Sequence, residues 1–298
     1  MSNRLPPLAA IRAFEAAARL LSFTRAAEEL AMTQAAVSYQ IKVLEDRVGA
    51  PLFVRRARQV DLTETGQVLA KSATDAFRIL ADGYETARAG GLGTLSISTL
   101  PTFAANWLAL HLVAFQVAHP GIAVRLDTSN RMVDLMQENF DIGIRTAEHG
   151  KWPGLVAHKL LQADFTPMLS PSLAQTIGKI EKPADLLKLP FIDAGDPWWR
   201  IWFAAAGVDA EAELAARPRN ELGSQAYVGR AAVAGQGVAV LTRAMFKAEL
   251  ENGSLIQPFG LISNDSHAFW LVYAEARRNV LKIRAFREWI LNEISDLA

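Results

Sequence analysis

Apolar residues recur at helical spacing from the start of the chain. Ile11, Phe14, Ala18 and Leu21 share one side of a first predicted helix. A second, short helix follows, with Ala26, Ala27 and Leu30 as its buried side and Ser22 or Thr24 as its cap. Its paired alanines let another helix approach closely. Ala31-Met32-Thr33 is a tight connection, and Thr33 caps a third helix from Gln34 to about Val48. With helical periodicity, Val37, Ile41, Leu44 and Val48 fall within about 60° of one another. Ala35, Ser38, Tyr39 and Lys42 lie opposite, with Gln34 at the exposed N-terminal tip.

After Gly49 the run 51–62 reads as two short strands around a turn bearing Arg55, Arg56 and Arg58. From Thr63, with Gly66, a helix of roughly 25 residues begins. Leu69, Ala73, Ala76, Leu80 and Ala87 form its sparse apolar stripe, with Phe77 and Tyr84 beside it. Alternating spacings of four and three suit pairing with a second helix. Packing of the stripe on its own domain is the alternative. Gly90, Gly91 and Gly93 then mark a hinge. Residues 92–298 alternate strand-like and helix-like runs, which predicts an α/β domain.

Composition adds limits. The chain has 298 residues, enough for about two domains. No cysteine is present, which excludes disulfides, thiolate metal sites and cysteine nucleophiles. Arg12, Glu15 and Arg19 interrupt the apolar N-terminus, so neither a signal peptide nor a membrane span is predicted, and the expected location is the cytoplasm. Formal net charge is zero, yet residues 1–60 hold nine basic and five acidic side chains. The positive excess therefore sits at the N-terminal end.

That excess changes the meaning of the third helix. Its outward face is small and polar over two turns, where a merely solvated helix more often carries Glu and Lys. Entry into a major groove needs short residues for close approach and hydrogen-bonding groups for base edges. Beside such a helix the arginine turn reads as a wing whose guanidiniums neutralise phosphates or enter the minor groove. A helix-turn-helix of this kind usually gains affinity by reading two half-sites, which favours a dimer through the long helix.

The segments Phe23-Thr24-Arg25-Ala26-Ala27-Glu28-Glu29-Leu30 and Thr33-Gln34-Ala35-Ala36-Val37-Ser38-Tyr39-Gln40-Ile41-Lys42-Val43-Leu44-Glu45 resemble the LysR-type transcriptional regulators. So do Gly49-Ala50-Pro51-Leu52-Phe53-Val54-Arg55 and Leu62-Thr63-Glu64-Thr65-Gly66. Residues 98–108 and 199–207 resemble the branch containing the glycine-cleavage activator and the β-lactamase regulator. The resemblance implies a multidomain protein: an α-rich winged helix-turn-helix (1–62), a dimerising linker helix (63–90) and an α/β, two-lobed, periplasmic-binding-protein-like effector domain (91–298). It implies promoter DNA, RNA polymerase and a small effector as partners and a homodimer assembling to a homotetramer; no cofactor is expected, and the five histidines show no metal-ligand spacing. DNA contacts carried over by position are Gln34, Ala35 and Ser38 on the recognition helix and Arg58 in the wing. Gln34 can pair with adenine and Ser38 with either base type. Relatives often have proline at position 35 and arginine at position 39, so Ala35 offers only a methyl and Tyr39 no guanidinium. Thr24, Thr33 and Lys42 are placed for phosphates, with Arg55 and Arg56 beside Arg58.

Lobe I is expected over 91–166 and 267–298 and lobe II over 167–266. Strands at 94–99, 122–128 and 140–145, with helices at 103–117 and 132–139, predict an early βαβαβ run. Doubly wound sheets bind ligands beyond the carboxyl ends of their strands, and helix N-termini there favour carboxylates. This selects Thr99, Thr102 and Thr128, each with helix capping as its alternative role. In lobe II, strands at 189–194 and 221–223 and helices at 198–206 and 224–234 place Ser224 at the cleft by the same rule. A strand at 268–273 and a helix at 280–294 return to lobe I. The named branch commonly has a tyrosine at position 269; Phe269 lacks that hydroxyl, which implies an apolar wall and a different effector. Trp198, Trp199 and Trp202 read as packing, and Gly235-Gln236-Gly237 as a turn. The effector is expected to be anionic or carboxylate-bearing. A free-standing solute receptor would leave residues 1–90 unexplained. An enzyme using Asp127, Asp141 or Asp193 lacks a convincing pairing, and Asp141 resembles a structural residue of the family.

Overall fold

Helix α1 (Leu8–Leu20) buries Ala10, Ala13, Phe14, Ala16, Ala17 and Ala18. Small side chains on that face allow α2 (Phe23–Glu29) and α3 (Gln34–Val48) to pack closely on it. The chain is described from a computed structural model over residues 5–56, 59–89, 93–135 and 138–295. It forms two compact units, Met1–Gly93 with Asp134–Asn139, and Thr94–Val133 with Phe140–Ala298.

In the first unit Ser22 caps α2, its hydroxyl oxygen accepting from Arg25 N at 3.2 Å. Thr33 caps α3 by accepting from Ala36 N at 3.1 Å. The left-handed Gly49 (φ 78°) ends α3, a conformation open to glycine at little cost. Val37, Ile41 and Leu44 are buried as expected, whereas Val48, at the last turn, is exposed. Strands β1 (Phe53–Arg56) and β2 (Gln59–Leu62) pair antiparallel, Phe53 opposite Leu62. Phe53 anchors the pair edge-on to Phe14 and Phe23, with centroids at 5.5 and 5.1 Å.

Helix α4 (Glu64–Ala89) starts on a clasp. Thr63 Oγ1 donates to Pro51 O at 2.8 Å and accepts from Gly66 N at 3.0 Å, while Thr63 N donates to Leu52 O. Packing of the stripe on its own domain is realised at the start of the helix only. Leu69, Ala70 and Ala73 pack on the helix-turn-helix core, while Ala76, Leu80 and Tyr84 are exposed. Of the hinge glycines, Gly90 and Gly91 lie outside the described residues.

The second unit is built on the sheet order β4-β3-β5-β9-β6, from β3 (Gly93–Thr99), β4 (Ile122–Thr128), β5 (Ile142–Ala147), β6 (Leu155–Gln162) and β9 (Ala268–Ala274). Strands β3 and β5 are parallel; β9 runs antiparallel between β5 and β6. The helix after β3 is continuous but not uniform: α5 (Pro101–Phe103), a π-turn (Ala104–Leu108), then α6 (Ala109–Ala118). Helix α12 (Leu281–Ile294) closes this lobe. Buried Asp141 holds its base together, accepting from Ser96 N at 2.7 Å and pairing with Arg277 at 2.5 Å and Lys282 at 3.0 Å. Asp141 is thus a structural residue.

The other lobe packs α7 (Pro171–Thr176), α8 (Pro197–Ala205), α9 (Glu211–Ala215), α10 (Gln225–Val233) and α11 (Lys247–Glu251) around antiparallel β7 (Phe165–Met168) and β8 (Ala239–Thr242). Trp199, Trp202 and Phe203 fill its core.

Three expected elements are not found among the described residues. The described part of 132–139 is irregular, with a turn at Leu135 and bends at Glu138 and Asn139. A run so short is a weak helix nucleus. Residues 189–194 make one isolated bridge, Phe191 with Val238, and no strand. Pro190 O and Ile192 N pair with Val238 at that bridge, while Arg217 donates to Leu189 O and, before the segment, to Leu187 O. Residues 221–223 are also irregular, ending at left-handed Gly223 (φ 73°).

Candidate functional site

The turn between α2 and α3 is compact because its backbone groups are already paired. Leu30 N, Ala31 N and Met32 N donate to Ala26 O, Glu28 O and Ala27 O at 3.0, 3.2 and 2.9 Å. Ala31 adopts φ 52°, a left-handed geometry uncommon for alanine. Buried Ala26 and Ala27 let α3 seat against α2. On the opposite side of α3, Gln34, Ala35, Tyr39 and Lys42 are exposed and Ser38 is half-buried. Tyr39 is 64% exposed. Thr24 is exposed in the first turn of α2. Thr33 uses its oxygen as a cap, which leaves its O–H free to donate. The expected contacts on α2 and α3 are therefore accessible, Ser38 in part.

The wing is fixed to this motif from behind. Glu45, on the inner side of α3, accepts from Leu52 N at 2.8 Å and Phe53 N at 3.4 Å. Arg55 and Arg56 lie in β1, opposite Val60 and Gln59. Arg58 lies outside the described residues.

The second unit contains a cavity of about 330 Å³ at the carboxyl ends of β3 and β5. Thr102 and Ser224 both line it, from different lobes, with their hydroxyl oxygens 3.1 Å apart. Ala226 N, in the first turn of α10, donates to Thr102 Oγ1 at 3.1 Å and to Ser224 Oγ at 3.2 Å. A hydroxyl from one lobe thus helps to cap a helix of the other. Asn130 adds a second tie, donating to Gly223 O. Buried Phe269 is in the wall, 5.6 Å from Phe103 between ring centroids.

Two expected residues stand elsewhere. Thr99 alternates with Leu95 and Ile97, so its side chain shares their fully buried sheet face and does not line the cavity. Thr128 is exposed at the end of β4; Asn130, two residues on, reaches the cavity instead. A strand-end rule identifies the loop but not which residue turns inward.

The sequence reading also missed the opposite wall. Asp265, His267 and Trp198 line the cavity. Asp265 Oδ2 accepts from Trp198 Nε1 at 2.6 Å, and Oδ1 accepts from His267 N at 3.1 Å and lies 3.0 Å from His267 Nδ1. Trp198 stacks on Phe165 with centroids at 4.2 Å, so the indole is firmly held. Ser266, between the two ionisable residues, has φ 70°. A polar Asn-Asp-Ser-His run before a strand is a turn signal in sequence; its direction depends on strain at Ser266, which spacing does not reveal. Asp196, at the cap of α8, is pushed up to about 6, mainly by burial; Asp193 and Asp265 add like charge, while Trp198 N–H opposes the rise.

An exposed reading helix with a wing, joined in one chain to a two-lobed cavity domain, defines a ligand-responsive DNA-binding regulator. Residues 8–67 match the bacterial regulatory helix-turn-helix protein, lysR family, and residues 88–295 match the LysR substrate binding domain. The chain is 40% identical over 293 residues to the glycine cleavage system transcriptional activator of Escherichia coli (strain K12), covering 98% of this chain and 95% of that protein. The effector domain of AmpR of Pseudomonas aeruginosa shares 31% identity at TM-score 0.57, covering 68% of this chain and 95% of that one. A Citrobacter freundii effector binding domain with three substitutions, threonine to valine, serine to alanine and tyrosine to phenylalanine, shares 27% identity at TM-score 0.56, covering 68% and 99%. The chain belongs to the LysR family of transcriptional regulators, in the branch of these relatives. Among the described residues no helix is long and apolar enough to cross a membrane.

Proposed function

We propose that this regulator reads promoter half-sites with Gln34, Ala35, Ser38 and Tyr39 in the major groove. Thr24, Thr33, Lys42 and the wing residues Arg55, Arg56 and Arg58 contact phosphates or the minor groove. Gln34 supplies the bidentate base contact, Ser38 a second hydrogen bond, and Ala35 clearance. The exposed part of α4, with Leu80 57% and Tyr84 67% accessible, pairs two chains. A second face supports a tetramer: residues 101–118 carry no charged side chain, and Leu110, Val113 and Val117 of α6 are all exposed. RNA polymerase is the partner of the assembled complex on DNA.

The effector in this reading is a small carboxylate held at the N-terminus of α10. The observation that carries it is the Thr102–Ser224 pair on Ala226 N–H. Two hydroxyls have two O–H donors, and only one is used between them, so one remains for a ligand oxygen. The dipole of α10 favours the same negative charge. The three changes in the Citrobacter domain each remove a hydroxyl from a threonine, a serine or a tyrosine, and this cavity presents Thr102, Ser224 and Phe269. The test is anisotropy of a promoter fragment from beside the protein's own gene, titrated with and without a panel of small carboxylates. Wild type changes its DNA affinity with one or more of them. The Thr102→Ala/Ser224→Ala double variant binds DNA but does not respond; a full response from that variant would refute the assignment.

A further inference from the structure

We infer that Asp265 selects effectors that carry a protonated amino group in addition to a carboxylate, making the ligand class zwitterionic, as in α-amino acids. The inference rests on the carboxylate reading above and extends it to the facing wall. Among the described residues the cavity lining holds Asp265 and His267 as its ionisable side chains, and no lysine or arginine. A purely anionic ligand would therefore meet a carboxylate with no fixed cation to offset it. Asp265 is not a chance surface acid. Its side chain is 19% exposed and is aligned from one side by Trp198 Nε1 and from the other by His267. Each carboxylate oxygen has lone-pair capacity beyond these bonds, which an ammonium can use.

The surroundings of this wall favour a cation. Trp198 lines the same cavity with one ring face stacked on Phe165 and its N–H held by Asp265. Asp193 and Asp196 add negative potential behind Asp265, the like-charge crowding that helps to raise the Asp196 carboxyl. His267 Nδ1 lies 3.0 Å from Asp265 Oδ1, so a ligand ammonium shares that oxygen with the imidazole. The cavity, at about 330 Å³, matches the low end of small-ligand sites.

The experiment uses full-length protein and calorimetric titration with the common α-amino acids, each beside the 2-hydroxy acid that differs only at the amino position. The expected result is at least one amino acid that binds about tenfold or more tightly than its hydroxy counterpart. In Asp265→Asn, which removes the charge and keeps one acceptor oxygen, the ratio of the two dissociation constants falls toward one. Unchanged melting of the variant by tryptophan fluorescence confirms that the fold is intact. Hydroxy acids binding as well as amino acids, or a ratio unaltered in Asp265→Asn, would overturn the inference while the carboxylate reading stands. If neither series binds, both readings fall.

Discussion

Gly66 offers the sharpest test of how the DNA-reading unit is held together. It sits in the first turn of α4, where a Cβ would lie 2.1 Å from Leu52 O and 3.1 Å from Leu62 Cδ2. Ordinary contact needs more than about 3 Å, so Gly66→Ala must push α4 away from the segment leading into the wing by about an ångström. Such overpacking costs about 1–3 kcal/mol. The shift also disturbs the Thr63 clasp, a capping arrangement worth about 1 kcal/mol. Alanine's better helix propensity returns only about 0.5–1 kcal/mol. The net expectation is a loss of about 2–3 kcal/mol, confined to the first unit. Gly83, on the same helix, has nothing within 4 Å of an added Cβ. Gly83→Ala should therefore stabilise slightly, by about 0.5–1 kcal/mol. All seven tryptophans, from Trp107 to Trp289, lie in the second unit. Tryptophan fluorescence thus follows that unit alone during urea unfolding, while helical circular dichroism follows both. Gly66→Ala should move the dichroism transition to lower urea and leave the fluorescence midpoint in place. Identical behaviour of the two alanine variants would refute the clasp.

Three other outcomes follow from the same structure. Gln34→Ala should lose about 1–3 kcal/mol on a specific operator and relax preference at one base position; equal loss on scrambled DNA in competition titrations would contradict base readout. Asp141→Asn removes the carboxylate from beside buried Arg277 and Lys282, and should destabilise the second unit by about 3–5 kcal/mol in fluorescence-detected unfolding; a change below 1 kcal/mol would show the cluster to be dispensable. The Asp196 carboxyl, up at about 6, binds its proton more tightly folded than unfolded, so its contribution is complete below about pH 4 and is lost as pH rises through 6. Asp196→Asn should remove that decline, and melting profiles that stay parallel to wild type between pH 4 and 7 would count against it.

The first unit was legible almost residue by residue because its elements are specified locally. Thr33 as cap, Gln34–Val48 as helix and Thr63 with Gly66 as the next start all depend on neighbours within four positions. Leu21 and Val48 were misassigned, since both stand at helix ends, where the periodicity continues but the side chain is exposed. The second unit was legible where strands alternate, as at Ile122–Thr128. It was not legible where long-range partners decide. Residues 189–194 look like a strand, but they make one isolated bridge, with Val238, and Arg217, more than twenty positions away, donates to Leu189 O. Strand β6 (Leu155–Gln162) escaped notice because it sits at a sheet edge, beyond an antiparallel return strand that comes more than a hundred residues later. The cavity followed the same division. Thr102 and Ser224 were found from strand-end and capping logic, whereas Asp265 required knowing which way the Ser266 turn faces.

The hydrogen bonds at α10 also constrain how an effector can act. Ala226 N–H already has two acceptors, Thr102 Oγ1 and Ser224 Oγ. A carboxylate at this point exchanges with an existing bond at Ala226 N–H and adds one from the spare hydroxyl proton. The exchange gains about 1 kcal/mol and the added charge-assisted bond about 1.5–3 kcal/mol. Moving a two-state arrangement from 1:99 to 99:1 takes about 5.5 kcal/mol of differential affinity. The hydroxyl end therefore supplies recognition but too little energy to drive a switch. The remainder has to come from walls that the ligand contacts in one arrangement of the lobes and not in the other. Asp265 and Trp198 on one side and Phe269 on the other are the groups positioned to supply it. An effector truncated at its amino end should then bind without switching: it would occupy the cavity in calorimetry yet leave DNA affinity nearly unchanged. A truncated ligand that switches fully would show that the hydroxyl end alone carries the response.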